Sequence, residues 1–140
     1  MNPSHSPLFI VSYAVDFGLC VLIWLVQLVV YPSFRYIEKT NFAAWHARYT
    51  NAQGFIAGPL MVAQLALALI SLGLTKSVHS TSYVALVAAT WVVTFSRFVP
   101  LHRALQRSGK RSETIESLLR LNWLRVGLWS VIALRLLFAL

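Results

Sequence analysis

Residues 8–30 read LFIVSYAVDFGLCVLIWLVQLVV, an apolar run whose main polar interruptions are Asp16 and Gln27. A hydrocarbon layer of about 30 Å is crossed by about 20 apolar residues in a helix, so this run is long enough to span a bilayer. It is too long for a strand and lacks strict alternation. Three further stretches follow the same rule. Residues 55–74 carry Gln64, residues 83–99 carry Thr90, Thr94, Ser96 and Arg97, and residues 118–140 carry Asn122, Arg125 and Arg135. The expected fold is all-α: a four-transmembrane-helix antiparallel bundle with helices near 8–31, 55–75, 82–99 and 113–139. Residues 1–140 form one integral membrane domain on this reading.

Composition agrees. Of 140 residues, 58% are hydrophobic and 11% charged, with a mean hydropathy of +0.67. Ordinary globular domains carry about 25% charged residues. A disordered chain, a collagen and a disulfide scaffold are excluded. The net charge of +8 invites a nucleic-acid reading. However, the basic residues sit between apolar runs, where they set membrane orientation, so no nucleic-acid partner is expected. Cys20 is the single cysteine and reads as a small buried residue. The leading residues 1–7, MNPSHSP, have no Lys or Arg, so the first run is expected to remain as a helix.

The connectors carry the remaining information. Pro32 discourages continuation of the first helix, and Pro100 is expected to end the third. Residues 33–53 are polar but aromatic, SFRYIEKTNFAAWHARYTNAQ. Asn41 suits the N-cap of a short amphipathic helix over residues 42–50. Residues 75–82 form a polar turn, residues 101–111 a basic connector broken near Gly109, and Ser112 caps the last helix, followed by Glu113 and Glu116. Ala63, Ala66 and Ala68 would let the second helix approach the third closely. Nine basic residues fall in or beside the first and third connectors, and only Lys76 lies in the second. The positive-inside rule then places connectors 32–54 and 100–117 in the cytoplasm and both termini outside.

Polar groups in hydrocarbon are costly and face the bundle interior or a wet cavity. Gln27 and Tyr31 are four apart and share a face. His46, Tyr49 and Gln53 share a second stripe, and Asn122, Arg125 and Trp129 a third. His102, two residues past Pro100, enters at the same level, and Trp123 also lies near the cytoplasmic face. These stripes can converge on a cytoplasmic-side pocket, although interhelical hydrogen bonding and an interfacial aromatic belt would leave the same pattern. His46 and His102 are the only candidates for a metal or haem on that side, with no carboxylate or thiolate to complete a site. The cofactor is therefore either none or a His-ligated group. His5 and His79 read as ordinary loop residues. Asp16 and Arg135, both in the outer half, are expected to form an ion pair between the first and fourth helices. The rival role for Asp16 is proton-coupled transport.

Three passages carry a family resemblance: Trp24-Leu-Val-Gln27 through Tyr31-Pro32, Val99-Pro-Leu-His102-Arg-Ala-Leu105, and Leu121-Asn-Trp-Leu-Arg125. Together they resemble the small four-helix membrane proteins of the anthrone-oxygenase-like family. That family shows a proline, a polar residue and a leucine after helix three, then a Trp and Arg pair near the start of helix four. The corresponding positions are Pro100, His102, Leu105, Trp123 and Arg125; the family more usually has Asn where this chain has His102. The resemblance implies oxidation of an anthrone to an anthraquinone without an obvious cofactor, tested at His102, Asn122, Trp123 and Arg125.

The leading functional expectation is a membrane-embedded oxidoreductase or oxygenase-like protein for an aromatic or quinone-like molecule. His46 and His102 would serve as base or ligand, and Asn122 and Arg125 would orient substrate oxygen. Gln27, Tyr31, Tyr49, Gln64, Trp123 and Trp129 would bind substrate. The alternatives are a structural or assembly subunit, in a larger complex or homo-oligomer, and a small transporter using Asp16.

Overall fold

The computed structural model describes residues 7–135. Those residues form an all-α four-helix bundle: α1 (Pro7–Ser33), α2 (Lys39–Thr75), α3 (Val78–Ser108) and α4 (Ser112–Leu134). Each helix packs on its neighbours in a ring: α1 on α2, α2 on α3, α3 on α4, and α4 back on α1. Short turns join them, so neighbours run antiparallel. The first three helices are long and apolar enough to cross a membrane. His5 and the last positions expected for the fourth helix, 136–139, lie outside the described residues.

Within a largely apolar core the bundle buries a few polar side chains, and its outer faces are apolar. Asp16, Gln27, His46, Gln64 and Asn122 are buried, while Leu28, Val29, Val62 and Val92 stand on outer faces. In hydrocarbon this distribution is favourable, because lipid solvates the apolar shell and the protein must satisfy its own polar groups. The buried positions on α1, Ser12, Asp16, Leu19, Ile23 and Val26, recur every three or four residues, as one helix face requires.

The prolines do not act as expected. Pro100 does not end the third helix, which continues to Ser108, and α1 runs through Pro32 to Ser33. In each case a π-helical turn precedes the proline: Val26–Val30 before Pro32, and Thr94–Phe98 before Pro100. Proline supplies no N–H, so the ladder must change register there. The N–H of Tyr31 bonds the Val26 carbonyl and that of Val99 bonds Thr94, each five residues back. The chain thus passes its proline without breaking, as π-bulges allow.

The expected short helix over 42–50 is not a separate element. It is the first part of α2, which runs unbroken for 37 residues through Gly54 and Pro59. The N-cap position falls at Glu38, and Asn41 lies inside the first turn, its N–H bonded to the Glu38 carbonyl. Breaking this helix near the membrane would strand backbone groups, which favours a continuous ladder. The polar turn is also shorter than expected. Lys76 closes α2 in a left-handed conformation, and Ser77 opens α3 with a reciprocal capping box to Ser80. Ser112 is the first residue of α4, and Arg111 occupies its N-cap position. Gly109 breaks the chain as expected, at φ +69°, a value that favours glycine.

Two devices fix the bundle ends. At one end Asp16 of α1 is fully buried and accepts hydrogen bonds from Gln64 of α2 (2.7 Å) and Tyr83 of α3 (2.9 Å). It also pairs with Arg135, just past α4, at 2.9 Å. The expected Asp16–Arg135 pair is present. His79 joins it, 3.3 Å from Arg135, and so is more than a bystander in the turn. At the other end Lys110 donates to the carbonyls of Arg35 and Ile37, and Arg35 pairs with Glu116 at 2.6 Å. These contacts clasp the α1–α2 connector to the α3–α4 connector.

Removing one partner of a buried pair leaves an uncompensated charge, at a cost of about 3–5 kcal/mol. Asp16→Ala is therefore expected to destabilise the bundle by that amount in thermal unfolding from detergent. The double variant Asp16→Ala/Arg135→Leu should recover part of the loss, and strict additivity would show that the pair is not coupled.

Candidate functional site

A cavity of about 350 Å³ lies between α2 and α3, with Tyr31 and Arg125 reaching it from α1 and α4. Small-molecule sites begin at roughly 300 Å³. The α2 wall is a helical stripe containing Tyr49, Gln53, Ala57 and Met61. The facing wall comes from the π-turn and the helix after it, through Thr94, Phe95, Phe98 and His102. The proline-linked register change thus falls on the cavity wall, and the residue just past the first π-turn is Tyr31.

Three side chains from three helices form a hydrogen-bonded chain. Tyr31 Oη lies 3.1 Å from His102 Nε2, and His102 Nδ1 lies 2.9 Å from His46 Nε2. His46 Nδ1 is buried without a hydrogen-bond partner. Neutral His102 carries one N–H, so the chain can run in two directions. In one, Tyr31 donates to His102 and His102 donates to His46. In the other, His46 donates to His102, His102 donates to the Tyr31 oxygen, and the Tyr31 hydroxyl is free to donate into the cavity. Shifting the protons along the chain from the first arrangement leaves the Tyr31 oxygen able to take a proton from the cavity and makes His46 a cation. Aromatic rings hold the chain in place: Phe42 stacks on His46 at 5.5 Å, and Phe34 meets the His46 ring edge-on at 5.6 Å.

Arg125 supplies the charge. Its guanidinium lies 4.3 Å from the centre of the Phe98 ring and 5.1 Å from that of Trp129. Its bond to Asn122 Oδ1 is a long one, 3.4 Å, it also interacts with the Tyr31 hydroxyl, and its Nε is buried without a partner. Among the described residues it has no carboxylate partner. Asn122 is held by Gln27, whose Oε1 accepts from Nδ2 at 2.9 Å, while Gln27 Nε2 donates to the Leu119 carbonyl. Gln27 and Asn122 therefore position Arg125 rather than wall the cavity.

The expected residues divide into three groups. Tyr31, Tyr49, His102 and Arg125 line the cavity, with His46 directly behind His102 and Gln27 and Asn122 behind Arg125. Gln64 and Trp129 meet elsewhere: Trp129 Nε1 donates to Gln64 Oε1 at 3.3 Å, and Gln64 in turn holds Asp16. Trp129 also touches the site through Arg125. Trp123 lies apart from the cavity, half-exposed and edge-on to Trp24 at 5.8 Å. Its position on α4 turns it outward, one residue from the buried Asn122. Sequence reasoning missed Phe34 and Phe42, both fully buried around His46. Phe42 was findable, one turn before His46 on the same helix face; Phe34 sits in a turn, where no periodicity marks it.

Among the described residues no three His, Cys, Asp or Glu side chains converge on a point. Both nitrogens of His102 are engaged, so the histidine pair offers a single free nitrogen. This donor set suits a proton-handling chain better than a metal or haem. Compared with protein-family models, curated proteins and solved structures, the chain matches none.

Stranding a buried acceptor costs about 1–3 kcal/mol. Tyr31→Phe is expected to lower stability by that amount. Combined with His46→Leu, it should give a non-additive loss in a double-mutant cycle, because both act through His102. Simple additivity would mean that the three groups do not form one network.

Proposed function

We propose that the chain is a membrane-embedded, oxygenase-like oxidoreductase that binds an aromatic or quinone-like molecule in this cavity and removes a proton from it. The observation that carries the reading is Arg125. A buried guanidinium without a carboxylate, beside a Tyr–His–His chain on a cavity wall, is costly unless a ligand supplies negative charge. A ring ketone that becomes an enolate does so.

The chemistry follows from the placement. Arg125 stabilises the oxygen on which charge develops. Tyr31 takes the proton of the ring carbon while its own proton passes to His102 Nε2, and the His102 Nδ1 proton passes to His46. The resulting cation is held against the Phe42 face. Dioxygen is the oxidant: the deprotonated carbon forms a C–O bond with it, and the protonated hydroperoxide loses water to leave a new carbonyl. The family resemblance at Pro100, Leu105, Trp123 and Arg125 points the same way.

The proposal includes four membrane crossings, with α4 as the fourth, and residues 32–54 and 100–117 on the cytoplasmic side. A cysteine placed at Gly109 is expected to react with a membrane-impermeant maleimide only after the cytoplasmic face is opened, and one at Ser77 without opening. The reverse pattern would invert the topology.

The reaction is tested with anthrone in proteoliposomes, following anthraquinone absorbance and oxygen uptake. His102→Gln is expected to lower the rate by about 10²–10⁴-fold, as loss of a general base does. Arg125→Gln should cost about 10²–10³-fold, as loss of an oxyanion donor does. Trp123→Phe should leave the rate unchanged. Wild-type rates in both the His102 and Arg125 variants would overturn the assignment.

A further inference from the structure

The cavity has a direction as well as a volume. A helix crosses 30 Å in about 20 residues. With the Lys76–Ser77 turn at one membrane face, the hydrocarbon reaches about residue 55 on α2 and about residue 98 on α3. Both helices continue past that level, to Lys39 and Ser108. The cavity straddles the boundary. Met61 and Phe95 lie on its hydrocarbon side, and Gln53, Arg103 and Gln106 on its headgroup side.

The α2 wall of the cavity carries two glycines. Gly54 and Gly58 line the cavity, and a Cβ built on either would meet nothing within 4 Å. Their missing side chains leave open space where α2 faces α3. Phe95, on the facing wall of the cavity, is more than half exposed on the outer surface. Toward the headgroup end Gln106 Nε2 donates to Thr50 Oγ1 at 3.1 Å, tying the two walls together. Arg103 lines this end, exposed and without an ion pair among the described residues.

We infer that the site admits its ligand sideways from the bilayer, as an amphipathic acid: its ring system enters over Gly54 and Gly58, and its acidic head stays at Gln53, Arg103 and Gln106. This rests on reading the cavity as the ligand site and goes beyond it in naming the route and the second recognition point. Partitioning into lipid concentrates such a molecule at the level of the opening. The headgroup-level cation then selects those whose acidic end remains at the interface, so the ring oxygen reaches Arg125 in one orientation.

The test uses the full chain in lipid nanodiscs and two probes with the same ring ketones, anthraquinone-2-carboxylate and 2-(hydroxymethyl)anthraquinone, read by quenching of tryptophan fluorescence. Raising the lipid-to-protein ratio at fixed total probe should weaken apparent binding in proportion to dilution of the probe in the bilayer. Binding that instead follows the aqueous concentration would overturn sideways admission. Gly58→Leu, a substitution that favours helix, should weaken both probes at least 10-fold, and Gly54→Leu should do likewise. Arg103→Gln should weaken the carboxylate about 5–10-fold and leave the alcohol unchanged. The lipid-dilution measurement on the unaltered chain stands even where a glycine variant fails to fold. If the glycine and Arg103 variants bind both probes normally while Arg125→Gln loses them, the route is wrong and the site reading survives. If Arg125→Gln also binds normally, both fall.

Discussion

The carboxylate of Asp16 takes one contact from each of the other three helical segments: Gln64 from α2, Tyr83 from α3, and Arg135 at the end of α4. Apolar side chains alone fix helix packing weakly in lipid, because the tails are as apolar as the side chains. A buried carboxylate is different. Its oxygens are satisfied only when four helices stand at one depth and one rotation, and any slip strands a charge. Trp129 extends the network by donating to Gln64, and the same ring faces the Arg125 guanidinium. The interaction that sets the bundle register is therefore joined through one indole to the candidate site.

At the other end two prolines shape the site. Each sits just past a π-turn, on α1 and on α3, and the register change lets the helix continue. Tyr31 follows the first turn directly, and His102 lies one helical turn past the second. Without these changes the helix faces would be rotated, since each π-turn inserts extra residues into the winding. The clasp of Lys110, Arg35 and Glu116 then ties the segment next to Phe34 to the α3–α4 connector and the first part of α4. Much of the basic charge of the chain lies at this end.

The fold was legible in the sequence to the extent that hydrocarbon length and polarity determine it. Long apolar runs gave the helices, and Asp16 and Arg135 stood out because burial of either alone is expensive. The candidate site was legible in part. Spacing grouped Gln27 with Tyr31, and His46 with Tyr49, because residues three and four apart share a helix face. Spacing also grouped Trp129 with Asn122 and Arg125, yet the indole nitrogen turned to Gln64. Trp123 was drawn in by its neighbours in sequence, although adjacent helical positions point about 100° apart.

By itself the sequence determined that the chain folds as helices suited to a membrane, since backbone groups in hydrocarbon must pair within the chain. It also determined which few polar side chains need partners. Only the tertiary structure decided who those partners are. Whether His46 meets His102 depends on α2 running unbroken past Gly54 and Pro59, and on α3 running through Pro100. In isolation proline and glycine favour a break at those points. The packed bundle favours continuity, most strongly at Pro59, where a broken ladder within the hydrocarbon would leave carbonyl and amide groups without water or partner. That cost belongs to the surroundings of the helix, and no local stretch of sequence contains it.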